Sequence, residues 1–179
     1  TSAGVRLWAT YYGGTGADYG MGVTTDAAGN VYLVGITEST AGISTAGTFQ
    51  TAFAGSTDGF IAKFNSAGVR QWGSYFGGSN MEEGYSVAVD NLGGVYLAGI
   101  TEGSGTPTTA GAFQTAFAGI SDQFLAKFNA NTGARLWSTY YGGTDDDIEA
   151  NVACDPSGNA YLVGQTSSVA GIASVGAFQ

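Results

Sequence analysis

An all-β fold, assembled from repeated four-stranded sheets, is predicted by three observations. A long sequence unit recurs in register along the chain. Within each unit, short apolar runs alternate with turns rich in Gly, Asn and Asp. No window long enough for a stable helix keeps a 3.6-residue apolar period without a Gly or Pro interrupting it.

The recurrence is tight. Trp8, Trp72 and Trp137 are separated by 64 and then 65 residues, and the same steps carry Tyr11-Tyr12-Gly13-Gly14 to Tyr75-Phe76-Gly77-Gly78 and Tyr140-Tyr141-Gly142-Gly143. They also relate Val31–Gly35 to Val95–Gly99 and Ala160–Gly164, and Phe49-Gln50 to Phe113-Gln114 and Phe178-Gln179. The extra residue falls in a turn, where Asn65–Gly68 becomes Asn129–Gly133, and a sheet register tolerates an insertion only there.

Each unit reads as four strands. In the first unit, Met21–Thr25 ends in the turn Asp26–Asn30, with an Asp to bond its own backbone and a Gly for positive φ. Val31–Thr37 follows and is apolar on both alternating faces. Gly59–Phe64 is the third strand, closed by Asn65–Gly68, and Val69–Phe76 is the fourth, rich in aromatic residues. A strand apolar on both faces must be covered on both. Small sheets repeated at a fixed period, each covered by its neighbours, describe β-propeller blades, here four-stranded antiparallel meanders in an incomplete ring of about three repeats. The meander places the Asp26-type strand near the axis and the Trp-bearing strand outermost. A β-solenoid ordinarily has a shorter repeat, and a sandwich has no reason for strict recurrence.

The units run as 8–71, 72–136 and 137–179, the last truncated, while residues 1–7, continuing to 14, read as the outer strand of a preceding blade. Three arrangements would satisfy the open ends: a longer closed propeller, a ring of several chains, or head-to-tail strand exchange into a filament. Expected partners are accordingly other copies of the chain or the remainder of a longer one.

The composite pattern W-x-x-Y-x-G-G, D-x-x-G-N, V-Y-L-x-G-x-T, F-Q and D-x-F-x-A-K-F-N resembles the SBBP-type β-propeller repeat of bacterial proteins, across nearly the whole chain. The resemblance implies a large, secreted or surface-attached protein without defined biochemical activity. A closed propeller needs roughly four blades or more, which exceeds what this chain supplies.

Composition excludes several function classes. Fourteen Asp and Glu against five Lys and Arg leave a net charge of −9, the wrong sign for a nucleic-acid binder. Without histidine there is no Ser-His-Asp triad and no imidazole metal site. The single cysteine forbids an internal disulfide. No apolar run approaches the ~18 residues of a membrane span, so no membrane insertion is expected. Abundant Ser, Thr and Gly with few Lys suit an extracellular or cell-surface location. Ser/Thr-rich loops such as Ser39–Thr48 and Thr106–Thr109 are candidate O-glycan acceptors.

The chemistry-bearing residues cluster after each Gly-Gly: Asp18; Glu82 and Glu83; Asp145, Asp146, Asp147 and Glu149. They share a face with the long second loop, Glu38–Asp58, which is where a propeller presents ligands. Asp145, Asp146 and Asp147 are the calcium candidate, since Ca²⁺ takes several carboxylate oxygens at once, although the EF-hand pattern is missing. Paired carboxylates also raise glycosidase chemistry, but acids repeated in every unit read as scaffold. No catalytic residue and no cofactor motif is assigned, and surface polysaccharide is the candidate ligand. The turns at Asp26, Asp90 and Asp155 read as hairpins. Arg6, Arg70, Arg135, Lys63 and Lys127 occupy repeat positions suited to ion pairs or cation–π stacking. Cys154 reads as a buried inert thiol, and Gly13–Gly16 lacks the Lys and helix of a phosphate cradle. The reading is a non-enzymatic structural or adhesive repeat scaffold. Its rivals are a filament subunit completed by strand exchange and a carbohydrate-binding or carbohydrate-cleaving propeller.

Overall fold

A computed structural model describes residues 1–178. It contains ten strands and, among the described residues, no helix: β1 (Asp18–Thr25), β2 (Val31–Thr37), β3 (Asp58–Phe64), β4 (Arg70–Phe76), β5 (Glu82–Val89), β6 (Gly94–Thr101), β7 (Asp122–Asn129), β8 (Arg135–Tyr141), β9 (Asp147–Cys154) and β10 (Ala160–Thr166). They form two four-stranded antiparallel sheets in chain order, β1–β4 and β5–β8, and a two-stranded sheet of β9 and β10. The sheets do not close into a ring. The all-β meander expected from the repeat is therefore borne out, and strand bounds agree within one residue except at the first strand of each unit.

That strand begins three residues earlier than its apolar run, at Asp18 rather than Met21. Gly20 and Gly22 hide it from a propensity reading, yet they flank a bulge: Gly20 pairs Gly35, Gly22 pairs Val34, and Met21 is the extra residue. The same register shift recurs between Gly84 and Ser86. Bulges add twist to the strand that bears them, and these lie on β1 and β5, which pack side by side with β9.

β6 explains why the sheets stack. Its residues are all buried and point alternately to opposite sides. Val95 and Leu97 join Tyr32, Val34, Ile61, Trp72 and Phe76 of the first sheet in one core with Phe124, Ala126 and Phe128. Tyr96 and Ala98 join Ala88, Leu125 and Ala150 in the core against β9 and β10. The outer strands add a repeated tie: Trp8 Nε1 donates to Ser66 O and Trp72 Nε1 to Ala130 O, both at 3.1 Å, so each Trp is pinned to a turn of the following sheet. The one-residue insertion lies in that second turn. Trp8 and Tyr12 pack on Phe64 and Phe60 without strand pairing of their own segment. No helix of the described residues is long and apolar enough to cross a membrane.

Candidate functional site

One acid after each Gly-Gly is a structural cap. Gly14 N donates to Asp18 Oδ2 at 2.8 Å, Gly78 N to Glu82 Oε2 at 2.6 Å and Gly143 N to Asp147 Oδ2 at 2.7 Å. The same carboxyl groups gather the second loop. Thr37 and Ser39 hydroxyls donate to Asp18, Thr101 and Thr106 to Glu82, and Ser168 to Asp147. Each acid thus ties the start of an inner strand to a glycine turn and to the loop after the second strand. Glu82 and Asp147 are buried, and Asp18 is half-buried. The Gly14 and Gly16 amides are already bonded to Asp18 and Ser39, so the two glycine donors of that segment do not converge on a phosphate. Ser39 and Thr106 are buried in these networks, away from any glycan.

Asp145, Asp146 and Asp147 diverge. Asp147 faces Gly143 and Ser168, Asp146 Oδ1 accepts from Ser121 Oγ at 3.1 Å, and Asp145 Oδ1 accepts from the Asp146 amide. Among the described residues no group of three acidic or cysteine side chains is placed to hold a metal.

Glu83 and Glu149 stand elsewhere, by a cleft of about 510 Å³ near the innermost strands, lined by Met21, Tyr85, Ile100, Ile148 and Glu149. The Tyr85 hydroxyl donates to Glu83. Burial raises the Tyr85 hydroxyl pKa, reinforced by that bond and by the charges of Glu83, Glu102 and Glu149. No basic residue lies on β1, β5 or β9, so this region is acidic throughout. Glu149 has φ of 58° where the other repeats place Gly20 and Gly84. A side chain there costs free energy that glycine does not. Glu149→Gly is expected to raise the melting temperature by about 2–4 °C, the equivalent of about 1 kcal/mol; a lower melting point would mean that the Glu149 side chain contributes more than its backbone strain costs.

On the opposite, tight-turn face the three Asp turns are Asx hairpins. Asp26 Oδ1 accepts from the Ala28 and Asn30 amides, while Oδ2 accepts from Asn30 Nδ2 at 2.7 Å and from the Tyr32 hydroxyl. Burial alone would raise the Asp26 carboxyl, but the Asn30 and Tyr32 bonds overcome it and hold it below its ordinary value. Asp155 repeats the pattern with Asn159. Asp90 does not: Gly94 replaces the Asn, and Lys127 Nζ takes the vacated place, 2.9 Å from Asp90 Oδ2. A Cβ on Gly94 would meet Lys127. Lys63, whose turn keeps its Asn, reaches instead to Ala130 O of the next sheet at 2.9 Å.

Both lysines also lie over tyrosine rings, and Arg70 and Arg135 lie over Tyr12 and Phe49, so four of the five basic residues serve intramolecular stacking. Cys154 is half-buried, packed against the second core, and burial pushes its thiol pKa up, away from the reactive thiolate.

Two acids escaped the sequence reading. Asp58 and Asp122 open β3 and β7, fully buried, each with Oδ2 accepting from a loop amide and from Gln50 or Gln114. The glutamine side-chain oxygens in turn accept from Gly77 N and Gly142 N. The recurrent F-Q and the Asp of D-x-F-x-A-K-F were the available signal, legible as a pattern but not as a contact. The third glutamine, Gln179, lies outside the described residues. Burial lifts Asp58 to about 7 and Asp122 to about 6, with Glu82 and Asp147 respectively adding to the rise against the bonds from the loops.

A second cleft, about 540 Å³, lies among Phe113, Leu125, Trp137 and Gly158–Ala160. At the corresponding place one sheet earlier, Trp72 meets Ala130 O and Phe49 meets Gly133 O and the Phe128 ring. The cleft is thus the position of a repeat contact.

Residues 7–40 and 136–169 match the family model described as SBBP, Beta-propeller repeat. No curated protein matches the chain. The two matched segments begin one residue before Trp8 and Trp137, and the unit between them, from Trp72, forms the same four-stranded meander.

Proposed function

We propose, for a chain that carries SBBP beta-propeller repeats, that it acts as a non-enzymatic extracellular scaffold with a structural or adhesive role. One observation carries the reading: the polar groups that recur in every unit are spent on the fold. Asp18, Glu82 and Asp147 cap their own turns and gather their own loops, and the lysines and most arginines stack on neighbouring rings. A catalytic site needs a singular constellation at one place with groups free to meet substrate, whereas these constellations are periodic. The acidic balance and the Ser, Thr and Gly content support an extracellular setting.

Such a scaffold presents its loop face to partners, with surface polysaccharide the candidate. Incubation with a polysaccharide panel is expected to release no reducing ends, while pull-down on insoluble glycans reports any retention. Turnover that Asp146→Asn abolishes would overturn the non-enzymatic reading.

A further inference from the structure

The seam between the first two sheets is made where β3 and β5 begin. Glu82 N donates to Thr57 O at 3.0 Å and Ser56 N to Asn80 O at 3.1 Å, so backbone bonds cross directly from one sheet to the next. The two residues at this crossing that carry acids, Asp58 and Glu82, are both 0% exposed. A Cβ on Gly77 would fall inside contact distance of Asp58 Oδ1 and 3.0 Å from Glu82 Oε2, so the two carboxyl groups flank one point beside that glycine.

Their partners are unequal. Both Glu82 oxygens accept hydrogen bonds, from Gly78 N and from the Thr101 and Thr106 hydroxyls. Asp58 Oδ2 accepts two, from Gln50 Nε2 and Ala54 N, but Asp58 Oδ1 is buried with no partner at all. A buried carboxylate oxygen facing a second carboxylate, with neither donor nor cation, is costly. A proton on that oxygen removes one charge and supplies the missing donor. A metal is a poorer occupant, because no third acidic group joins the pair.

We propose that Asp58 and Glu82 form an acid–carboxylate pair sharing one proton, which locks the first two sheets together at acidic to neutral pH and loosens them as the proton leaves. The surroundings offer no compensating charge. Glu82 faces from β5, Tyr75 from β4, and Asp18 from β1 through Tyr75. β2 brings only Thr37 opposite Asp58, and the loop brings the neutral Gln50. Arg70 is bonded to Gly42 O and Lys63 to Ala130 O. A related arrangement recurs at the next seam, where Asp122 Oδ1 is again buried and unpartnered beside Gly142, and Asp147 Oδ1 lacks a partner as well. Asp18, by contrast, faces no equivalent of Asp58 among the described residues and serves as an internal control.

The sign follows from proton linkage. The folded chain keeps a proton on Asp58 up to about pH 7, whereas the unfolded chain releases it near 3.8. The folded state therefore binds more protons between those values, and stability falls as pH rises through that window, levelling off above it.

Thermal unfolding of the full chain at pH 6 and pH 8 tests this, above the range in which the depressed carboxyls titrate. The expected result is a melting temperature about 3–5 °C lower at pH 8 for the unaltered chain. Asp58→Asn places an amide donor where the proton sits, so its decline should be much smaller and its melting point at pH 8 higher than that of the unaltered chain. Glu82→Gln should flatten the decline as well, and Asp18→Asn should leave it. A melting point that is flat or rises with pH would overturn the proposal. So would Asp58→Asn melting lower at pH 8, or added calcium abolishing the decline in the unaltered chain, since a cation would then be the occupant.

Discussion

Phe76→Ala is expected to lower stability by about 3–5 kcal/mol, read as a drop of roughly 6–20 °C in melting temperature and a matching shift in the urea midpoint. Phe76 is fully buried, and its ring centroid lies 4.8 Å from Phe124, 5.9 Å from Phe128 and 6.0 Å from Phe49. Two of those rings belong to the second sheet, so truncation opens a void in the face-to-face contact of two sheets rather than within one. Neither sheet can move inward to fill it, because the backbone bonds at Thr57 and Glu82 hold their separation. The comparison is Phe113→Ala, whose ring is 75% exposed and should cost well under a third as much. Equal losses in the two variants would mean that the sheets do not stack through Phe76.

Gly99→Ala is expected to be the second large loss, by overpacking rather than by cavity. β5 bulges between Gly84 and Ser86, and the bulge turns the Glu83 carbonyl towards the Gly99 α-carbon. A methyl group on Gly99 would collide with that carbonyl and come within 2.8 Å of Phe124 Cε1. Backbone on one side and a fully buried ring on the other leave neither neighbour free to yield, so about 1–3 kcal/mol is a lower range for the cost. Gly35 is hemmed in the same way by the Tyr19 carbonyl and the Phe60 ring, so Gly35→Ala should behave alike. Gly93→Ala separates this effect from glycine's conformational freedom. Gly93 has φ of 87°, and a methyl group there would meet no atom within 4 Å, so only the left-handed backbone is penalised, about 1 kcal/mol. If Gly93→Ala proves the more damaging, close approach at Gly99 is not what the repeat glycine serves.

How much of the fold was readable depended on how local its cause was. β2 was placed to the residue, because Val31–Thr37 is bounded by an Asx turn and apolar on both faces. β1 was placed short, because the glycines of its bulge look like loop until their partners on β2 are known. The site was less legible still. The acids after each Gly-Gly stood out by position, but only the contacts show that Asp18, Glu82 and Asp147 bond to Gly14, Gly78 and Gly143 while their neighbours do not. Asp58 and Asp122 passed unremarked, because an acid at a strand end reads as exposed until another sheet is laid against it.

Periodicity, turn chemistry and two-faced apolar strands act over a few residues, and from them alone the amino-acid sequence determined repeated four-stranded meanders that must stack. Which carboxyl lost its solvent, which glycine stands against a carbonyl, and whether a lysine answers Asp90 or Ala130 O were decided only in the tertiary structure. These depend on atoms far apart in the chain, up to 67 residues for Lys63 and Ala130, coming within a few ångströms of each other, and desolvation and steric exclusion have no magnitude until that distance exists.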